Sequence, residues 1–167
     1  MKAELDEEFR EFMLGRWPVM VRLAYGLTGD RGHAEEVAQA AFAKAYAAWP
    51  KVVRAGSPDA YVRQIVVNEF RNRFRKRRVH ELFTDVLPDA ITADTSPGID
   101  SRAALVTALR ALAPKQRAVI VLRYWLDLTE AQAATALNCS VGTVKSQTSR
   151  ALAILRKSPE LVEGDLR

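Results

Sequence analysis

The sequence predicts an all-α protein, built as two small helical domains joined by an acidic linker. Three observations carry that prediction. Apolar residues recur at three- and four-residue steps between Gly and Pro punctuation, and no run shows sustained period-two alternation. Charge is segregated along the chain. Residues 1–50 hold six Lys/Arg and eight Asp/Glu, residues 51–80 nine and two, residues 81–100 none and five, and residues 101–167 ten and five. Finally, the stretch from His80 to Asp100 carries Pro88, Pro97 and Gly98 among its acids. A linker of ~20 residues is foreign to the inside of a compact domain but ordinary between two.

The first helix is expected over about Leu5 to Leu27. Phe9, Phe12, Met13, Trp17, Met20 and Ala24 would line one face. Gly15 and Pro18 disturb it, and an interior proline costs a helix about 3 kcal/mol, so a kink or short break is expected near Arg16. Gly29 suits the carboxyl end and Asp30 the N-cap of the next helix. That second helix, Arg31 to Trp49, has a clear stripe of Ala34, Val37, Ala38, Ala41, Phe42, Ala45 and Trp49, and Pro50 ends the pattern.

Lys51 to Gly56 reads as a connection. Ser57, Pro58 and Asp59 then supply an N-cap, a first helical residue and an acid in the first turn. The third helix runs to about Arg78 and buries Val62, Ile65, Val66 and Phe70. In its last part, Arg71 to Arg78, six of eight residues are basic. A solvated charged face is the plain reading. Cations at nearly every angle around a helix repel one another, however, unless an anion compensates, which favours a nucleic-acid surface. A short helical turn is expected around Leu82 and Phe83 inside the linker.

Four helical pieces follow. Ser101 is expected to cap the first, with Leu105, Ala108, Leu109 and Leu112 on one side. Pro114 opens the second, which carries Ala118, Val119, Val121, Leu122 and Trp125. Thr129 and Gln132 have capping-box spacing and start the third. Asn138 sits where the chain must reverse, and Ser140 caps the fourth, whose stripe is Val141, Val144, Ala151, Leu152 and Leu155.

Several function classes are excluded early. No apolar run approaches the roughly 18 residues of a membrane span, and the acidic start lacks the pattern of a secretory signal. With Cys139 alone there is no intrachain disulfide, and two histidines and one cysteine are too few for a usual zinc site. No metal, no cofactor and no enzyme activity are therefore expected, and a cytoplasmic location fits. The net charge of +5 points instead to a polyanionic partner.

Residues 129–152 read as a helix-turn-helix. Thr143, Lys145, Ser146, Gln147, Ser149 and Arg150 lie off the apolar stripe, and such a small polar face can enter a major groove about 12 Å wide. Lys145 and Arg150 can contact phosphate or guanine; Ser146, Gln147 and Ser149 can meet base edges or phosphate oxygens. An αα-hairpin with a polar outer face has the same spacing, so the pattern alone does not decide.

Leu112 to Val119, Leu122-Arg123-Tyr124 and Val141 to Ser146 resemble region 4 of bacterial extracytoplasmic-function (ECF) sigma factors. Tyr25 to Asp30, Ala34 to Val37 and Ala60 to Asn68 resemble region 2. The likeness covers most of residues 5–157 and is greatest to the actinobacterial SigE group of the sigma-70 superfamily. It implies region 2 over 5–79, an acidic linker over 80–100, region 4 over 101–157, and a short tail over 158–167 with no further regulatory domain.

The implied partners are core RNA polymerase and promoter DNA, with an anti-sigma factor as a further partner class. Glu35, Glu36, Gln39 and Phe42 match the polymerase-binding helix. Arg54, Gly56 and Ser57 match the loop that captures an unstacked base. Tyr61, Arg63, Asn68, Arg71, Asn72, Arg73 and Arg75 fall on the helix that recognises and melts the minus-10 element. Thr143, Lys145, Ser146, Gln147, Ser149 and Arg150 match the minus-35 recognition helix. Asp85, Asp89 and Asp94 match a segment threaded through the polymerase's RNA exit path. Gln147 departs from the arginine of many members, and Asn138 from a common glycine. Other classes that the residues allow are a dimeric helix-turn-helix repressor and a sigma-like decoy; an enzyme has the least support.

Overall fold

The computed structural model describes residues 2–83 and 100–158, and in it several helices begin where the sequence supplies capping chemistry. Eight α-helices are formed among them: α1 (Lys2–Thr28), α2 (Arg31–Ala47), α3 (Trp49–Arg54), α4 (Pro58–Phe83), α5 (Asp100–Arg110), α6 (Pro114–Ile120), α7 (Glu130–Leu137) and α8 (Val141–Leu155). No strand occurs among the described residues. Most of the acidic linker, Asp85, Asp89 and Asp94 included, and the tail beyond Ser158 lie outside them.

Asp30 caps α2 by accepting the His33 N–H at 2.9 Å, directly after Gly29 turns the chain at φ 72°. Ser57 Oγ accepts the Ala60 N–H at 3.3 Å and starts α4. Thr129 and Gln132 form a reciprocal capping box at the start of α7.

Four expectations are corrected. Helix α1 is continuous through Arg16 and Pro18. Pro18 lies on the exposed side, while Met20, Leu23, Ala24 and Leu27 are fully buried. Packing on this scale outweighs the ~3 kcal/mol cost of one interior proline. Trp49 belongs to α3, which takes up most of the expected connection; Pro50 sits in its first turn, where a missing N–H costs nothing. Trp49 and Val52 are buried, which gives this short helix its reason to form. Helix α4 runs past Arg78 to Phe83 and absorbs the expected separate turn at Leu82–Phe83. Ser101 lies inside α5, which begins at Asp100.

Between α6 and α7 the chain makes a single π-helical turn over Val121–Trp125, closed by Leu126 N–H to Val121 O at 3.0 Å. Val121 and Leu122 are buried by it, and Tyr124 is left exposed.

Helices α1 to α4 form one half of the molecule and α5 to α8 the other. The halves share a single core, a point on which two units joined by a linker would leave no expectation. Helix α1 packs against α6 and the π turn, and α4 against α7. Gly26 lies so close to Val121 that a Cβ there would meet its Cγ1 at 2.8 Å. Trp125 packs near Tyr25, with ring centroids 6.2 Å apart, and Arg22 reaches its carbonyl at 3.2 Å.

The polar centre of this interface is Arg117, only 6% exposed. Its Nη1 donates to Leu27 O at 2.7 Å across the interface, and its Nε to Leu109 O at 2.9 Å. Its Nη2 donates to Arg110 O and Leu112 O, each at 3.2 Å. The guanidinium lies 5.6 Å from the Phe70 ring centre and 5.8 Å from that of Phe74. Burial, with Arg110 nearby, lowers its pKa to about 10, so it remains a cation at neutral pH. Arg110 adds a bond of 3.2 Å to Thr28 O.

Replacing Arg117 by Met is expected to cost about 2–4 kcal/mol, because four carbonyls, three of them in buried bonds, lose a charged donor at once. Urea unfolding is the check, and an unchanged midpoint would show that the guanidinium does not join the halves.

Candidate nucleic-acid interface

The helix-turn-helix is built from local chemistry. Asn138 holds φ 53° and ψ 49°, the left-handed conformation that ends α7. Ser140 Oγ then accepts the Thr143 N–H at 3.1 Å and lies 2.9 Å from Thr143 Oγ1. Val144, Ala151 and Leu155 anchor α8 in the core. Val141, expected in that stripe, is 38% exposed, because the first turn of α8 projects beyond the packed surface. Thr143, Lys145, Ser146, Ser149 and Arg150 are exposed along one side, and Gln147 is half-buried. Ser146 Oγ donates to Thr143 O at 3.1 Å, so its hydroxyl can exchange that bond for one outside the helix.

The second set lies on α3, α4 and the turn between them. Arg54 is exposed, and its Nε donates to Pro50 O at 3.3 Å. Gly56 holds φ 87°, with nothing within 4 Å of where a Cβ would stand. This turn therefore presents backbone and open space beside Ser57. Tyr61 and Arg63 are half-buried on the first turns of α4. Burial lowers the Arg63 pKa, against the opposing pull of Asp59, which itself pairs with Arg16 at 2.5 Å.

Further along α4, Asn68 is exposed, Arg71 and Asn72 are half-buried, and Arg75 donates to Asn72 Oδ1 at 2.6 Å. These four share a face. Arg73 does not: it turns toward α2 and pairs with Glu36 at 3.2 Å, with Glu69 at 4.0 Å. Glu69 is also engaged by Lys44. Positions four apart on a helix are neighbours and positions two apart are not, so Arg71, Arg73 and Arg75 could never track one line of phosphates together.

Of the polymerase-binding candidates on α2, Glu35, Glu36 and Gln39 are exposed. Phe42 is corrected to a core position: it is 2% exposed, and its ring lies 6.4, 6.2 and 5.8 Å from those of Phe9, Phe12 and Trp17. Its ring packs inside the core and is not presented on the surface of α2.

The two halves bring the candidate sets together. Asn68, Arg71, Asn72 and Arg75 form one wall of an open cleft of about 930 Å³, and Lys115, Gln147 and Arg150 contribute to the other. Sequence reasoning misses Arg110 and Arg117 as structural partners of the first half, and Lys115 as part of the cleft. The available signal for Arg117 is a lone cation followed by the apolar run Ala118 to Leu122, where a charged side chain must find acceptors.

Comparison with known proteins places this geometry. The family description "Sigma-70 region 2" matches residues 17–79, and "Sigma-70, region 4" matches residues 102–155. An "RNA polymerase sigma-E factor" of Streptomyces antibioticus is 38% identical over 160 residues, spanning 96% of this chain and 89% of its own. The "ECF RNA polymerase sigma factor SigL" of Mycobacterium tuberculosis H37Rv is 31% identical over 144 residues, 83% of this chain and 81% of its own. Among solved structures, the sigma factor RpoE of Bartonella quintana, in complex with the anti-sigma factor NepR, superposes with a TM-score of 0.76. It is 25% identical, with 93% of this chain and 98% of that one covered. CnrH shares the fold, at a TM-score of 0.68 and 21% identity.

Ser140→Ala is expected to cost about 1 kcal/mol of stability through the lost cap. Because Ser140 closes the first turn of α8 on the Thr143 N–H, hydrogen exchange at the Thr143 and Val144 amides should rise more than at Ser146 to Leu155; a uniform rise along α8 would refute the local role.

Proposed function

The chain belongs to the sigma-70 family of RNA polymerase sigma factors, in its extracytoplasmic-function group, and we propose how its surfaces divide the work of that family. Residues 5–79 act as region 2, residues 101–157 as region 4, and residues 80–100 as the connector. The observation that supports this division most directly is the exposed polar face of α8 on one half and the basic, amide-bearing face of α4 on the other.

Region 4 reads the minus-35 element as duplex, with α8 in the major groove. Lys145 and Arg150 take phosphate or guanine contacts. Thr143, Ser146, Gln147 and Ser149 reach base edges and phosphate oxygens. Region 2 works on separated strands. Pulling one base from the stack costs a few kcal/mol. The turn at Arg54 to Ser57 offers the space and exposed backbone to receive such a base. Tyr61 supplies a ring beside it, Asn68 and Asn72 supply amides, and Arg63, Arg71 and Arg75 hold the backbone electrostatically.

Glu35, Glu36 and Gln39 dock on core polymerase. Arg73 is the partner Glu36 must release or share on docking, which makes it a link between polymerase binding and the melting helix. Part of each reading set, Gln147 and Arg150 on α8 and Asn68, Arg71, Asn72 and Arg75 on α4, lines the same cleft, so region 4 separates from region 2 before both promoter elements are engaged. The protein acts as a non-catalytic factor in the cytoplasm; no helix among the described residues is long and apolar enough to cross a membrane. An anti-sigma factor is a further partner class, as for the Bartonella quintana relative.

Run-off transcription with purified core polymerase and genomic DNA is expected to yield promoter-specific transcripts dependent on this protein. No transcript, together with no polymerase binding, overturns the reading. Lys145→Ala and Arg150→Ala should each weaken promoter capture by about 1–3 kcal/mol and leave polymerase binding intact. Asn68→Ala should leave duplex capture intact and slow strand opening, read as permanganate reactivity of thymines in the minus-10 element.

A further inference from the structure

The cleft between the halves carries more charge than its own walls neutralise. Arg71 and Arg75 come from α4, Lys115 from α6 and Arg150 from α8. None of the four has a carboxylate partner among the described residues. Glu69, the acid on the wall, is already engaged by Lys44 and Arg73. Arg71 Nε is buried without a hydrogen-bond partner, a donor taken from water with nothing in return. Closing the two halves thus places unpaired cations of both across one gap, and like charges facing each other oppose the closure.

We propose that this cleft is a binding site for a short polyphosphate chain, either free or carried by a nucleoside, and that its occupant holds the two halves closed. The volume of about 930 Å³ falls within the usual range of small-molecule sites, roughly 300–1,000 Å³. Cations stand on both walls, so a chain of several phosphates bridges them where a single phosphate meets one. Asn68 and Gln147 offer amides, and Phe74 offers ring surface, on which a nucleobase can be held. A ligand that needs both walls binds the closed arrangement better than the open one, and shifts the population by that difference alone. The occupant covers Asn68, Arg71, Asn72, Arg75, Gln147 and Arg150 among the residues assigned above to promoter reading and competes with DNA for them.

The test uses the full-length protein at low salt, titrated calorimetrically with inorganic tripolyphosphate, GTP, ATP and inorganic phosphate. One-to-one binding of tripolyphosphate or a triphosphate is expected, with a raised melting temperature and with affinity falling as salt rises. Inorganic phosphate should do neither at equal concentration. Tighter binding of GTP or ATP than of tripolyphosphate assigns the site to a nucleoside-borne chain, and equal binding to the free chain. Arg71→Gln and Lys115→Gln, from opposite walls, should each weaken binding about tenfold, the effect of losing one good charge contact. Lys157→Gln, outside the cleft, should not weaken it. The proposal is overturned if no polyphosphate binds one-to-one, if only one wall matters, if Lys157→Gln weakens binding as much, or if a single-stranded oligonucleotide alone binds.

Discussion

The carboxyl end of α1 has no cation of its own to meet its last carbonyls. The last turn of any helix leaves such groups unpaired, and burying them without donors is costly. Here the donors come from the other half of the molecule: Arg117 to Leu27 O and Arg110 to Thr28 O. Much else follows from that exchange. Arg117 also gathers carbonyls from the α5–α6 turn, so the same side chain shapes its own half and holds it to the first. Gly26, the residue before Leu27, permits the close approach of Val121. The interface is therefore a polar plug set among apolar contacts.

That arrangement gives α4 two different tasks on two faces. One face, with Asn68, Arg71, Asn72 and Arg75, borders the inter-domain cleft. The other meets α2 through Arg73, Glu69, Lys44 and Glu36. The acidic residue at Glu69 would look out of place in so basic a helix were it not the hub of this network. It neutralises the inner side and leaves the outer cations unpaired. The surface proposed to separate strands, on α4, and the one proposed to dock on polymerase, on α2, thus meet through one ion-pair network.

What the sequence made legible was local. The caps at Asp30, Ser57, Thr129 and Ser140 and the left-handed turn at Asn138 depend on residues within three or four positions of each other, and all are found in place. What stayed hidden was decided by distant partners. Pro18 is overridden by packing against other helices, and α3 exists because Trp49 and Val52 have a core to enter. Phe42 shares a helix with exposed acids but faces three aromatic rings supplied by α1. The two halves of the site were readable as residue sets; that they face one another was not, because nothing near Lys115 or Arg150 in the chain refers to α4.

The π turn at Val121–Trp125 adds one residue to a helical circuit without lengthening the element that contains it. Each residue of an α-helix advances the azimuth by about 100°. The inserted position thus acts as a phase shifter, and with regular geometry the indole of Trp125 would arrive on a different side, away from Tyr25. A wider circuit of this kind is also a costlier one. This family member therefore maintains its fit between halves by angular register, and a one-residue deletion anywhere in this turn would rotate everything beyond it relative to the first half. Here the count of residues is itself a dimension of the interface.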